Sequence, residues 1–281
     1  AAREVWEIVC EFEGDRKSLM LSLGGGVITD LGGFVASTYK RGIPFINVPT
    51  TLLGMCDASI GGKTGIDHQF LKNIVGTFAE PQQIFVYPDF LQTLPFFELR
   101  SGFAEMLKHG LIADEKHWKD LSSIENLNPE SIDPFIETSM KIKQNVVEID
   151  FKEQNIRKTL NFGHTIGHAV ESLFLQSNQL IPHGEAVALG MICETHLSCL
   201  ENLINAEMEE EIIKKIRKFY PYISIHAFSS EQLLALMKND KKNSDGKISF
   251  SLIEKIGNCQ FDCTVSEENI ISALHFYQSL A

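Results

Sequence analysis

The sequence of 281 residues lacks the features that mark membrane, secreted and nucleic-acid-binding proteins. No apolar run reaches the roughly 20 residues needed to span a bilayer, and the first residues carry no secretory pattern. A formal net charge of −12 disfavours broad binding to nucleic acids or anionic membranes, because both are negatively charged. The six cysteines have no ligand-like pairing, since Cys259 and Cys263 are too isolated for a zinc knuckle. We therefore expect a cytoplasmic protein with free thiols and neither nucleic-acid nor membrane partners.

Composition and length predict a globular protein of about two domains. Hydrophobic residues make up 44% and charged residues 22% of the chain. Helical apolar spacing over residues 1–13 is followed by a short strand over 18–23. A helix that feeds a strand is an unusual start for an α/β domain, so we expect that the domain lacks its first strands.

The first strand runs into a glycine-rich stretch, Gly24–Asp30, followed by a predicted helix over Leu31–Lys40. Glycines let a backbone approach a pyrophosphate, and the helix N-terminus favours its charge. A second buried strand ends at Pro49, just before the hydroxyls of Thr50 and Thr51. The glycine cluster alone is equally consistent with a tight turn.

Lys63 and Lys72 lie among small residues, which suggests two cations that face a phosphorylated ligand. A surface loop with ordinary lysines is the simpler interpretation of this stretch alone. A third strand is predicted over residues 81–89, and a domain boundary after residue 97. Beyond it the pattern is helical, except for an extended stretch at 247–253.

Two histidines four residues apart, His164 and His168, share one helix face with Asn161 and Glu171. Such a stripe could face water, but solvated stripes favour Lys and Glu over histidine and glycine. His183 begins another apolar helix, whose dipole would favour the neutral, metal-binding imidazole. The stretch therefore predicts a metal site.

Glu105 is the best candidate for a carboxylate ligand to the same ion. It could instead form a surface ion pair with Lys108, three residues later. Gly102, Ala104 and Gly110 indicate close packing around it. One Glu and two His with an open position suit catalytic zinc or a related divalent ion.

Taken together, these motifs resemble those of the 3-dehydroquinate synthase family over nearly the whole chain. The segments that carry the resemblance are Gly24–Asp30, Pro49–Leu53, Asp57–Lys63, Lys72–Asn73, Gly102–Glu105, Asn161–His168 and His183–Glu185. One departure is Phe97, where the family often has Arg before the glutamate at Glu98.

The resemblance implies an α/β, Rossmann-like NAD-binding domain that lacks its first strands, at residues 1–97. A mostly helical metal- and substrate-binding domain would follow at 98–281. The metal, zinc or alternatively cobalt, would be held by Glu105, His164 and His183. Residues implied to contact NAD are Gly25, Gly26, Val27, Ile28, Thr29, Asp30, Thr50, Thr51, Leu53, Asp57, Lys63, Lys72, Phe90, Leu91, Gln92, Thr93, Leu94 and Glu98. Residues implied to meet a phosphorylated sugar acid are Arg41, Asp57, Lys63, Lys72, Asn73, Lys143, Arg157, Asn161 and His168, with Lys241 or Lys242.

The implied enzyme is a carbon–oxygen lyase of aromatic amino-acid biosynthesis, working as a homodimer. It would convert 3-deoxy-D-arabino-heptulosonate 7-phosphate to 3-dehydroquinate by transient oxidation, phosphate elimination, re-reduction and aldol closure. One alternative is a cyclase for another sugar phosphate, of the valiolone or inosose type. A metal-dependent alcohol dehydrogenase and an inactive metal-binding remnant are the others.

Overall fold

The computed structural model describes residues 1–68, 71–238 and 248–281, with side chains except at 67, 68 and 71–73. The α-helices described there are α1 (Ala2–Glu11), α2 (Gly26–Thr38), α3 (Phe96–Ala113), α4 (Glu115–Ser123), α5 (Pro129–Ile149), α6 (His164–Gln176), α7 (His183–Leu200), α8 (Ala206–Phe219), α9 (Ser230–Lys238) and α10 (Glu267–Ser279). The strands are β1 (Met20–Gly24), β2 (Phe45–Pro49), β3 (Lys63–His68), β4 (Leu71–Phe78), β5 (Gln83–Ile84), β6 (Ser249–Lys255) and β7 (Asn258–Thr264). None of the described helices is both long and apolar enough to cross a membrane.

The first part of the chain is an α/β unit built on a parallel sheet in the order β1-β2-β5. Ser22 of β1 pairs with Asn47 of β2, and both are buried on the face that packs against α2. The opposite face presents Leu21, Leu23 and Phe85, each more than half exposed. Alternation along β1 therefore buries polar groups under α2 and leaves leucines uncovered.

Two elements of this unit were predicted with the wrong boundaries. The helix predicted from Leu31 begins at Gly26, so most of the expected glycine turn is the helix's first turn. The third strand, predicted over 81–89, is reduced to Gln83–Ile84 and followed by a 3₁₀ helix, Pro88–Thr93. Pro81 and Pro88 flank it, and neither can donate a hydrogen bond to a ladder.

Two antiparallel hairpins were not predicted as such. Lys63 was expected in a loop, but it begins β3, which pairs with β4. Thr64 lies opposite Thr77, with 2.7 Å between their hydroxyl oxygens, and Ser37 of α2 is 2.7 Å from the Thr77 hydroxyl. Of the extended stretch predicted at 247–253, residue 247 lies outside the described residues and 249–253 are confirmed as part of β6, but its partner β7 was missed. Gly65 and Gly76 in the first hairpin, and Asn258 and Asp262 in the second, are residue types that strands disfavour.

The second part is mainly helical and contains the main hydrophobic core. Phe103 and Trp118 are completely buried within it. The core also takes in Leu52, Met55 and Leu91 from the first part of the chain. The helical part is thus packed directly against the segments that follow β2 and β5.

Candidate metal and ligand site

Three chain segments bring Glu105, His164 and His183 together. Glu105 lies in the middle of α3, whereas His164 and His183 are the first residues of α6 and α7. The Nε2 atoms of the two imidazoles are 3.4 and 3.6 Å from Oε1 of Glu105. One ligand atom from each residue lies within 4.8 Å of the other two. The predicted three-residue set therefore converges at one point.

Close backbone packing holds these helices in register. Gly184, next to His183, leaves no room for a side chain, because a Cβ there would be 2.2 Å from the carbonyl oxygen of Ser101. The Ser101 hydroxyl also accepts a hydrogen bond from the Gly184 amide at 2.9 Å. Ser101 lies one turn before Glu105 on α3. The same contact thus fixes the distance between Glu105 and His183.

The α6–α7 contact uses glycine in the same way. Gly163, which precedes His164, has a left-handed φ of 79° that few residues other than glycine adopt easily. A Cβ on Gly190 of α7 would be 1.9 Å from the Gly163 carbonyl oxygen. The start of α6 therefore rests on the backbone of the helix that carries His183.

Both imidazoles are oriented through their second nitrogen. His164 Nδ1 lies 3.1 Å from the carbonyl oxygen of Phe162, and His183 Nδ1 lies 3.5 Å from Oε2 of Glu171. Metal-binding histidines commonly donate this N–H to a carbonyl or carboxylate, which turns the other nitrogen toward the ion. Both Nε2 atoms accordingly face Glu105.

Glu105 is fully buried, and its two oxygens have different surroundings. Oε2 pairs with the ammonium of Lys108, itself only 1% exposed, while Oε1 accepts no aligned hydrogen bond in the described part of the chain. Glu105 and Lys108 do form the ion pair considered from the sequence, but the pair is buried and not on the surface. Burial would raise the pKa of Glu105, but the charges of Lys108 and His164 hold it well below its usual value. An ionised, unsatisfied oxygen beside two imidazole nitrogens fits a divalent cation.

The surroundings of His183 favour a protonated imidazole, whereas we expected a neutral one. Burial lowers its pKa, but the carboxylates of Glu105 and Glu171 outweigh burial and raise the pKa to about 9. The helix dipole, from which we expected a neutral imidazole, is thus the weaker influence. Metal binding through Nε2 requires that this proton leave. His164 differs, because burial and Lys108 lower its pKa.

His168 lies beside the triad on the next turn of α6. Its ring centroid is 5.0 Å from that of His164 and 5.9 Å from that of His183. A second group, formed by Asp57, Glu105 and His109, also has ligand atoms within 4.8 Å of one another. Its Asp57 is already paired with the ammonium of Lys143, so the first group suits a cation better.

Lys143 lies next to this second group, because it pairs with Asp57. Lys143 Nζ is 2.6 Å from both Oδ1 and the carbonyl oxygen of Asp57. Burial opposes ionisation of Asp57, but Lys143 prevails and lowers the Asp57 pKa to about 2. Lys63 pairs with Glu153, which also accepts a hydrogen bond from the Asn161 amide at 2.9 Å. Ion pairing thus links both parts of the chain here.

Arg157 is held by backbone carbonyls. Its guanidinium donates to the carbonyl oxygens of Gly61 at 2.9 Å and of Phe151 at 2.5 Å, and the residue is 2% exposed. Burial lowers its pKa, although Arg remains charged at any ordinary pH. Gly61 belongs to the stretch just before Lys63, so Arg157 also joins the two parts of the chain.

The glycine turn after β1 lies against the segment after β2. A Cβ on Gly25 would be 3.0 Å from Cγ2 of Thr51, and one on Gly26 would be 2.8 Å from Cβ of Ala58. The Thr50 amide donates to the Gly24 carbonyl at 2.9 Å. The turn and the two threonines therefore adjoin at the carboxyl ends of parallel strands, where nucleotides bind in such sheets.

Other residues of the expected NAD set differ in accessibility. Thr29 is buried and its hydroxyl donates to the Gly26 carbonyl at 2.9 Å. Leu91 is fully buried in the main core, so it has no surface of its own to offer a dinucleotide. Exposed or partly exposed members are Val27, Ile28, Asp30, Leu53, Phe90, Gln92, Thr93, Leu94 and Glu98.

Several expected residues are not brought to the site by the described contacts. Arg41 is exposed in the turn after α2, with a left-handed φ of 67°. The side chains of Lys72 and Asn73 lie outside what the structure describes, as do Lys241 and Lys242 entirely. Their roles stay predictions.

The structure adds residues that our expected ligand sets did not include. Lys108 and Glu171 contact the metal group directly, and Glu153 joins Lys63 to Asn161. The spacing from Glu105 to Lys108 was a usable signal, since it placed both on one helix face. Nothing in the sequence signals that Glu153 meets a lysine 90 residues earlier.

Two protein-family models together match most of the chain. The model described as 3-dehydroquinate synthase N-terminal matches residues 1–101, and the C-terminal one matches 102–243. The 3-dehydroquinate synthase of Parabacteroides distasonis is 42% identical over 279 residues, covering 98% of this chain and 78% of the relative. That of Desulforamulus reducens is 40% identical, with 97% and 77% covered.

A solved structure similar to this fold is 2-epi-5-epi-valiolone synthase from Streptomyces hygroscopicus, with NAD⁺ and Zn²⁺ bound. Its TM-score is 0.87 at 27% identity, covering 100% of this chain and 79% of that one. A 2-deoxy-scyllo-inosose synthase has a TM-score of 0.84 at 24% identity, with 97% and 78% covered, a likeness of fold alone.

Proposed function

The chain belongs to the 3-dehydroquinate synthase family, and on that premise we propose that it converts 3-deoxy-D-arabino-heptulosonate 7-phosphate to 3-dehydroquinate and phosphate. The observation that carries the proposal is the buried Glu105–His164–His183 group beside a set of cations. The reaction makes it a carbon–oxygen lyase that depends on NAD and a divalent metal.

In this proposal Glu105, His164 and His183 hold the metal ion. The Zn²⁺ in the valiolone synthase structure supports zinc, with cobalt as the alternative. When bound, the ion would stabilise negative charge on a substrate oxygen, and NAD would accept a hydride and return it. Glu171 and the Phe162 carbonyl keep both Nε2 atoms directed at the ion.

Cationic side chains would bind the phosphate and carboxylate of the substrate. Lys63 and Asn161 already share Glu153, so an incoming anion would exchange for that carboxylate at the Lys63 ammonium. Arg157 and Lys143, both buried and held by backbone oxygens, would give fixed positive charge. Arg41, Lys72, Asn73 and one of Lys241 or Lys242 complete the proposed set.

Proton removal is assigned to no single side chain. The substrate's phosphate can take the proton itself before it leaves, because it is bonded to the carbon next to the acidified C–H. His168, whose ring is 5.0 Å from that of His164, would support this transfer. Asp57 is occupied by Lys143 and would orient that ammonium rather than act as a base.

The NAD site is proposed at the carboxyl ends of β1 and β2. Amides at the start of α2 would face the pyrophosphate, since the first N–H groups of a helix have no partner within it. The rest of the proposed contact set is the one named in the sequence analysis, without Leu91. Close contact of the glycine turn with Thr51 and Ala58 would fix the width of this site.

We also propose that the outer face of the β1-β2-β5 sheet packs against further secondary structure. Leu21, Leu23, Ile46, Val48 and Phe85 form one face of the β1-β2-β5 sheet, and three of these are more than half exposed. Doubly wound sheets cover both faces with helices. The division into residues 1–97 and 98–281, and assembly as a homodimer, belong to the same proposal.

The test uses the catalytic role of NAD. The protein would be given zinc, substoichiometric NAD and the phosphorylated heptulosonate. Release of many equivalents of phosphate per NAD is expected, while reduced cofactor stays below the enzyme concentration. Accumulation of reduced NAD without phosphate would refute the proposal and indicate an alcohol dehydrogenase.

A matched pair of variants tests the substrate site. Arg157→Met should weaken substrate use, whereas Lys158→Met should not, because Lys158 pairs with Asp262 at the surface. Equal phosphate release from both variants would contradict the assignment.

A second candidate is a cyclase of the valiolone type, favoured by the fold likeness with a TM-score of 0.87. The sugar phosphate used by such a cyclase would lack the carboxylate that Arg157 and Lys143 would bind. Faster turnover of that sugar than of the heptulosonate would support the second candidate.

A further inference from the structure

A buried carboxylate outside the metal group caps the helix that carries His164. Glu194 of α7 is 0% exposed. Its Oε2 accepts a hydrogen bond from the Gly163 amide at 2.6 Å, and its Oε1 accepts one from the Ile166 amide at 3.1 Å. These two amides lie on either side of His164, so Glu194 holds the backbone in place on both sides of that residue.

The start of α6 needs such an acceptor. Its N-cap, Gly163, has no side chain to bond the first amides, which have no partner within the helix. Glu194 supplies from another helix what a capping box supplies locally, and its negative charge suits the helix N-terminus. Because each oxygen takes a different amide, the carboxylate fixes both the position and the direction of the first turn.

The same helix carries the next ligand. Glu194 and His183 both belong to α7, which Gly163 also touches through Gly190. We propose that Glu194 is a positioning residue that sets His164 relative to His183, and so tunes metal affinity. This rests on the metal centre in the proposed function.

Charge and shape make glutamate hard to replace here. Glutamine has one acceptor oxygen, and its NH₂ would face the N–H of Gly163 or Ile166. Alanine removes both acceptors and leaves two buried amides unpaired. Loss of a residue that orients a metal ligand typically weakens metal binding by about 10- to 100-fold, and we expect that range for both variants.

The experiment compares Glu194→Gln and Glu194→Ala with Thr195→Val. Thr195 is the next residue on α7, is equally buried, and donates its hydroxyl to the Met191 carbonyl at 2.7 Å. Its loss removes a buried hydrogen bond that lies within α7 itself. Zinc affinity is measured by competition with a chromophoric chelator, and the visible spectrum of Co²⁺-loaded protein reports ligand geometry.

The expected result is weaker zinc binding and an altered cobalt spectrum for the Glu194 variants, with the parent values for Thr195→Val. Parent-like zinc affinity and spectrum in a folded Glu194→Gln would overturn the proposal. So would an equal loss in Thr195→Val, since general loosening of α7 would then explain it.

A measurement on the parent protein covers the case in which neither Glu194 variant folds. Helix-start amides normally exchange quickly, but those of Gly163 and Ile166 should be protected in NMR hydrogen exchange. Rapid exchange at both amides would overturn the proposal. Parent protein that takes up no metal overturns it together with the metal centre, whereas tight metal binding without phosphate release overturns the reaction alone.

Discussion

Gly184→Ala is expected to move two of the proposed metal ligands apart while the fold survives. A Cβ at this position would be 2.2 Å from the Ser101 carbonyl oxygen and 2.5 Å from its Cα. Restoring even a 3.0 Å contact requires that α7 and α3 separate by at least 0.8 Å at this point. His183 adjoins residue 184, and Glu105 lies one turn beyond Ser101, so the separation falls between these two ligands.

The two consequences differ in size. Overpacking costs about 1–3 kcal/mol, of which alanine's lower unfolded-state entropy returns up to about 1 kcal/mol. At about 2–4 °C per kcal/mol, the midpoint of unfolding should fall by no more than about 10 °C. Metal coordination tolerates only about 0.2 Å. We therefore expect zinc affinity to fall by at least about 100-fold, equivalent to about 2.8 kcal/mol.

Gly110→Ala is the matched control on the same helix. A Cβ there would be 2.7 Å from the backbone N and Cα of Trp118, so it pushes α3 away from α4 instead. Calorimetry of the metal-free proteins, prepared with a chelator, should show comparable losses of stability for both variants. Zinc competition should distinguish the two variants. The zinc affinity of Gly110→Ala should stay within about threefold of the parent value, because mutations at independent sites rarely couple. Parent-like zinc affinity in Gly184→Ala would refute the reasoning.

Three further outcomes are expected. Arg157→Met should raise KM for the heptulosonate phosphate at unchanged zinc content, and an unchanged KM would show that the guanidinium only ties Gly61 to Phe151. Gly26→Val should weaken NAD binding, measured by equilibrium dialysis, because the valine side chain would push the turn away from Ala58. Equal NAD affinity in variant and parent would show that the glycine serves only to form the turn. Burial raises the pKa of the Cys56 and Cys193 thiols, so neither should react with a thiol reagent at pH 8 until the protein is unfolded. Rapid labelling of either in the native protein would contradict their burial.

The site was predictable where spacing along one helix carries the chemistry. His164 and His168 are one turn apart, and Glu105 lies among small residues that indicate close packing. The sequence could not show that Glu194 bonds the Gly163 amide, 31 residues earlier, because such a contact depends on how α6 and α7 pack. It also could not show that Lys63 would meet Glu153, for the same reason.

Strand prediction failed where local composition and final pairing disagree. Lys63-Thr64-Gly65 reads as a loop, yet a partner strand and the hydroxyl contact between Thr64 and Thr77 stabilise it as β3. The third strand was predicted too long. The apolar residues after Gln83 and Ile84 continue beyond the hydrogen-bonded ladder as half-exposed coil. Tertiary pairing, rather than propensity, decided both cases.

The Glu105–Lys108 ion pair reduces the negative charge of the proposed metal site. Among the three proposed ligands only Glu105 would be negatively charged, because both histidines would bind metal as neutral imidazoles, and the Lys108 ammonium offsets that charge. A divalent ion would then keep nearly its whole double charge for the molecule that comes to it. Anionic, chelating substrates would therefore be drawn in strongly, while the ion itself would remain exchangeable and open to removal by chelators.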